Sequence, residues 1–79
     1  MNNKNYPDAT LAKNLKRLCA ERNIKQAELA RICDKERKTA NAWVNCVSSP
    51  TAWDIKQICM RYNLSADELL GLRKNEWEN

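Results

Sequence analysis

The chain has 79 residues, 43% of them hydrophobic and 30% charged, with 14 Lys or Arg against 10 Asp or Glu and a formal net charge of +4. That length makes a single domain with a modest core, because a chain this small buries only about 60% of the surface its unfolded form exposes. One Gly, two Pro and no Phe exclude the regular turn chemistry of an all-β fold and favour several short helices, so the expected class is all-α.

The charge is uneven. Residues 1–47 hold ten Lys or Arg against five Asp or Glu, and residues 48–79 hold four against five. A basic half suggests a polyanionic partner, although a solvated basic face gives the same balance. The four cysteines, Cys19, Cys33, Cys46 and Cys59, form no CxxC pair and the chain has no His, so neither a metal site nor another cofactor is expected. No signal-peptide pattern opens the sequence, and no apolar run approaches the roughly 20 residues of a membrane span. The expectation is a soluble, cytoplasmic protein whose reduced cysteines serve as small apolar fillers.

Residues 1–9 are polar and read as a flexible arm. A first helix is expected from about Thr10 to Arg22, with Thr10 or Asp8 as N-cap, Leu11, Leu15, Leu18 and Cys19 along one face, and Lys13, Lys16, Arg17 and Glu21 on the other. Asn23 tolerates the left-handed conformation that ends helices. The next stretch, Gln26 to Asn45, reads as two short helices joined by Asp34-Lys35-Glu36. The first buries Leu29, Ala30 and either Ile32 or Cys33, and the second buries Ala40, Trp43 and Val44. The small Ala30 allows a close crossing, which with the short connection gives a helix-turn-helix. The outer face of the second helix of the pair carries Arg37, Lys38, Asn41 and Ala42: two cationic donors, an amide and a methyl group, all able to read base edges.

Pro50 ends that run. Thr51 to Asp54 has the form of a capping box for a fourth helix that buries Ile55, Ile58, Cys59 and Tyr62 and stops at Asn63. Ser65 and Glu68 are expected to form a second capping box for a short fifth helix, expected to bury Leu69 and Leu72 and to end near Gly71. Residues 73–79 read as a charged tail containing Trp77. The domain proper is thus expected over residues 10–72.

This order of helices resembles the Cro and phage-repressor type of helix-turn-helix domain, a compact five-helix, lambda-repressor-like fold. The resemblance covers Leu11 to Leu72 without a gap. It rests on Gln26 with Leu29 and Ala30, on Ala40 with Trp43, on Pro50 and Thr51 seven and eight residues further on, and on Leu64, Ser65, Glu68, Leu69 and Leu70. It implies that Arg37, Lys38 and Asn41 lie in the major groove, with Ala42 against a thymine methyl. Gln26 would contact phosphate from a helix start, with Lys25 and Asn45 as further backbone clamps. It also implies a homodimer on two half-sites of a palindromic operator, in a bacterium, phage or other mobile element.

Three positions depart from the pattern. Asp34 stands where the turn usually has Gly. Lys35 replaces a core-facing apolar residue, so either its stem snorkels or the local geometry differs. Glu36 replaces a small hydroxyl, which suits the helix dipole and repels a nearby phosphate. Trp43 reads as core, and Trp53, in the first turn of the fourth helix, as an exposed aromatic that hints at an interface. With no His, no glycine-rich phosphate loop and no nucleophile with a base partner, an enzyme is not expected. Two readings remain: a dimeric transcriptional regulator binding double-stranded DNA as repressor or activator, and a helix-turn-helix scaffold that binds protein, as an antirepressor or antitoxin would.

Overall fold

The structure is a computed structural model that describes residues 8–73. It contains α1 (Ala9–Arg22), α2 (Gln26–Ile32), α3 (Arg37–Val44), α4 (Ala52–Tyr62) and α5 (Ala66–Leu70), with no strand among the described residues. The arm up to Pro7 and the tail from Lys74, Trp77 included, lie outside the described residues.

Two helix starts follow the sequence closely. Asp8, not Thr10, caps α1: its Oδ1 accepts from the amides of Thr10 at 2.9 Å and Leu11 at 3.3 Å. At α4, Thr51 Oγ1 accepts from the Asp54 amide at 3.1 Å while Asp54 Oδ2 accepts from the Thr51 amide at 2.9 Å, the reciprocal pair expected. The start of α5 differs. Ser65 makes no side-chain cap; its hydroxyl accepts from Arg73 Nη2 at 3.1 Å, and the same guanidinium lies 3.8 Å from Glu68. Arg73 folds back over α5 and engages both members of the expected box.

The helix ends share one device. Asn23, Asp34, Cys46, Asn63 and Gly71, each just past a helix, have φ between 56° and 81°. At each, the next residue's amide reaches back: Ile24 to the Cys19 carbonyl, Lys35 to Ala30, Val47 to Ala42, Leu64 to Cys59 and Leu72 to Asp67, at 2.8–2.9 Å. These bonds satisfy carbonyls that a helix end otherwise leaves open. Asn and Asp tolerate this conformation, and Cys46 is the one residue of the five without that excuse. Gly71 has a second reason beyond its φ of 81°, because a Cβ there would lie 2.6 Å from Thr10 Cγ2.

The core gathers Leu11, Leu15 and Leu18 of α1, Leu29 and Ala30 of α2, Ala40, Trp43 and Val44 of α3, Ile55 and Ile58 of α4, and Leu69 of α5, with Ile24 and Cys33 from the connections. Ala30 and Ala40 are fully buried, and α2 with α3 is the most extensive helix pairing. Of the two candidates at the end of α2, Cys33 is buried and Ile32 half-buried; Cys59 and Tyr62 are also half-buried. Leu72 does not join the core. It is 74% exposed, because the left-handed turn at Gly71 ends the helical register that would have carried it inward. Around this core α3 rests on α2 and α1, whereas α4 rests on α2 and α5.

Helix α1 also caps two other helices. The buried Asn14 donates through Nδ2 to the carbonyls of Glu68 at 3.3 Å and Leu69 at 3.0 Å, at the end of α5. Arg22 Nη1 donates to the Tyr62 carbonyl, the last of α4, at 2.6 Å. An unmade bond to a buried carbonyl is costly, so Asn14→Ala is expected to lower stability by about 2 kcal/mol, read as a lower urea midpoint at unchanged slope.

Candidate nucleic-acid interface

The inner face of α3 is fixed by Ala40, Trp43 and Val44, so the helix presents the remaining face outward. Arg37, Lys38, Asn41 and Asn45 are exposed there and Ala42 is half-covered. Lys25 is exposed just before α2, and Gln26, its first residue, is half-buried. Two of the expected groups are joined: Asn41 Nδ2 donates to Gln26 Oε1 at 3.1 Å. Asn45 turns back to give Nδ2 to the Asn41 carbonyl at 2.9 Å. The chain therefore links Gln26, Asn41 and Asn45 along one edge of the face. Arg37 and Lys38 lie in the first turn of α3, and Lys38 Nζ sits 3.9 Å from Glu36, both side chains open to solvent. Such an exposed pair holds weakly and leaves the lysine available. Glu36 occupies the N-cap of α3 and makes no side-chain cap bond.

The departures at the turn resolve together. Asp34 adopts the left-handed conformation, φ 59°, in place of a glycine. Lys35 snorkels: its Nζ reaches Asp54 Oδ1 at 2.8 Å and the Cys33 carbonyl at 3.2 Å, and lies 5.6 Å from the centre of the Trp53 ring. Asp54 is 1% exposed, so an acid at the start of α4 receives the cation that stands in the apolar position of the turn. Within its own stretch Asp54 has only the local capping role expected of it. A buried acid pairing with the misplaced Lys35 is a signal legible only once both elements are in place.

Electrostatics around this joint set a stability window. Burial pushes the Asp54 carboxyl up, but hydrogen bonds from Lys35 and Thr51 outweigh it and hold it below its ordinary 3.8. The bond to Asp54 raises Lys35 above 10.5. Burial, helped by the Asp54 charge, pushes the Cys33 thiol from 9.0 up to about 11. Burial and the hydrogen bond to Glu28 at 3.0 Å push Tyr62 from 10.0 up to about 12. A depressed acid contributes stability above its unfolded value and loses it as pH falls through the folded one. Raised groups contribute below their unfolded values and lose it as pH rises. Stability is therefore expected to be flat from about pH 5 to 8, where the histidine-free chain has no side chain of ordinary pKa to titrate. It should fall in acid below pH 4, and in base first between 9 and 11 as Cys33 ionises. Urea midpoints across pH check this, and Cys33→Ala should shrink the 9–11 limb without abolishing it, because burial also raises the Cys19 and Cys59 thiols above 9.0.

Among the described residues no cluster of His, Cys, Asp or Glu is placed to hold a metal ion, and no helix is long and apolar enough to cross a membrane. The five helices, with α2 and α3 as a tight pair and a polar outer face on α3, define a helix-turn-helix domain. Residues 14–75 match the model of the Cro/C1-type HTH DNA-binding domain, and the chain belongs to that family. No curated protein and no solved structure matches the chain.

Proposed function

We propose that the protein is a sequence-specific regulator of transcription that binds double-stranded DNA, in the cytoplasm, as a homodimer on a palindromic operator. In this reading α3 enters the major groove, with Arg37, Lys38 and Asn41 on base edges and Ala42 at a thymine methyl, while Lys25, Gln26 and Asn45 contact phosphate. The observation that carries it is the exposed face of α3, where these groups converge beside the start of α2. Arg and Lys suit guanine and Asn suits adenine in the major groove. The bond from Asn41 to Gln26 uses the Gln26 carbonyl oxygen and leaves its amide hydrogens for a phosphate, so one side chain both orients a base reader and anchors the backbone.

The test is a titration of duplex from the region beside the protein's own gene, against scrambled duplex, at several salt concentrations. Tight binding that prefers the native duplex and weakens steeply with salt is expected. Lys25→Ala should weaken both duplexes alike and lower the salt slope by about 2, roughly 1 for each copy in the dimer. Gln26→Ala should cost preference as well as affinity, since it also releases Asn41. The exposed Glu36 at the start of α3 favours a second reading, a scaffold that binds protein through this face. Weak, indiscriminate DNA binding indifferent to these substitutions would select it.

A further inference from the structure

Across α2 from the recognition face, α4 presents a stripe that the DNA-binding reading does not use. Trp53 is 51% exposed and Met60 63%; with Gln57 they stand at i, i+4 and i+7, one face of a helix. A shallow groove of about 320 Å³ runs beside them, lined by Ile32 of α2 and by Gln57, Met60 and Arg61 of α4. Its surroundings are cationic. Arg61 lines it, Lys56 is exposed on α4, and Lys35 lies over the Trp53 ring. The acids of α2 and α4 are engaged: Asp54 with Lys35, whose charge it offsets, and Glu28 with the Tyr62 hydroxyl, which leaves Lys56 and Arg61 as the cations of the border.

An apolar stripe with a basic border selects an acidic and aromatic ligand. Two such faces meeting directly about a two-fold axis would set Lys56 and Arg61 against their own images, which disfavours a simple face-to-face dimer. The sequence contains one stretch of the required chemistry, Glu76-Trp77-Glu78, two acids flanking a large aromatic. It follows Arg73, which is held to α5, and Gly71, which sits against Thr10 at the start of α1. Neither α1 nor α5 contributes a wall to the groove, and Trp77 is at most about 14 Å of extended chain beyond Arg73. We propose that the groove on α4 receives Glu76-Trp77-Glu78 of a second copy, with Trp77 on Ile32 and Met60 and its flanking acids toward Arg61 and Lys56. The exchange is reciprocal, so it closes a two-fold dimer. It rests on the homodimer of the proposed function and names that dimer's surface.

Sedimentation equilibrium of the full chain over a range of concentrations tests this, with circular dichroism melts verifying that each variant folds. The wild type should dimerise. Trp77→Ala, Met60→Ala and Arg61→Glu should each weaken the dimer, Trp77→Ala by about thirtyfold as the central aromatic. Arg61→Glu combined with Glu76→Arg and Glu78→Arg should restore it, which loss of fold could not do. Dimers unchanged by Trp77→Ala, a wild type monomeric throughout, or a monomer with Trp77 cross-linked to α4 of its own chain would each overturn the exchange. Stoichiometry on the operator duplex separates this from the operator reading. Two chains of Trp77→Ala bound per duplex with wild-type affinity would keep the palindromic operator and overturn the tail contact; one chain per duplex, with wild type binding two, supports both.

Discussion

Arg37→Ala/Lys38→Ala is expected to abolish preference for the operator while leaving the fold intact. Both residues are exposed in the first turn of α3, and neither belongs to the core, so the loss should leave thermal unfolding within about 0.5 kcal/mol of wild type. A bidentate contact to a base discriminates by about 1–3 kcal/mol. Two contacts in each of two half-sites would therefore bring operator binding down to the level of scrambled duplex. The competition titration reads this directly. If both duplexes lose affinity by the same factor, the two side chains contact phosphate and the base-reading role belongs elsewhere on α3. If neither loses any, α3 does not enter the groove.

Trp43→Ala is expected to remove cooperative folding at physiological temperature. Trp43 is the largest fully buried side chain and sits on the inner face of α3, in the core that α3 shares with α1 and α2. Truncating a buried Trp costs about 3–5 kcal/mol, and a domain of this length has a total of roughly 4–12 kcal/mol. The melting temperature should fall by more than about 15 °C. Trp43→Phe keeps most of the volume and should retain a folded domain. Its DNA affinity then reports how far the outer face depends on the packing of the inner one. A Trp43→Ala protein melting within a few degrees of wild type would mean that the side chain is not the keystone its burial indicates.

The five helices were legible because their signals are local: apolar spacing along each stretch, Asn23 and Asn63 as terminators, Thr51 with Asp54 as a cap. The face of α3 was legible for the same reason, once Ala40 and Trp43 were read as its inner side. What escaped depends on residues far apart in the chain. Asn14 reaches the end of α5, fifty-five residues away. Arg73, from beyond the helix, reaches back to Ser65 and Glu68, the two members of the expected capping box. Lys35 looks misplaced until Asp54 folds beneath it. In each case the polar partner lies outside the stretch that the local pattern covers. Leu72 stays outside the core for a different reason: helical spacing does not continue across Gly71, where the backbone changes hand.

The left-handed closures give the recognition element a mechanical character. Between α2 and α3 the chain reverses through Asp34, without a glycine, and the Lys35 amide is tied to the Ala30 carbonyl at 2.9 Å while its ammonium is anchored on Asp54 at 2.8 Å. At the far end of α3 the turn is closed through Cys46, again without glycine. Both joints of the recognition helix are thus clamped, and the helix has little freedom to pivot against the rest of the domain. A reader mounted this way behaves as a gauge of fixed length. In a two-fold dimer whose contact between copies is equally firm, duplexes with half-sites moved by a single base pair should bind more weakly, because the penalty falls on bending DNA and not on the joints of α3.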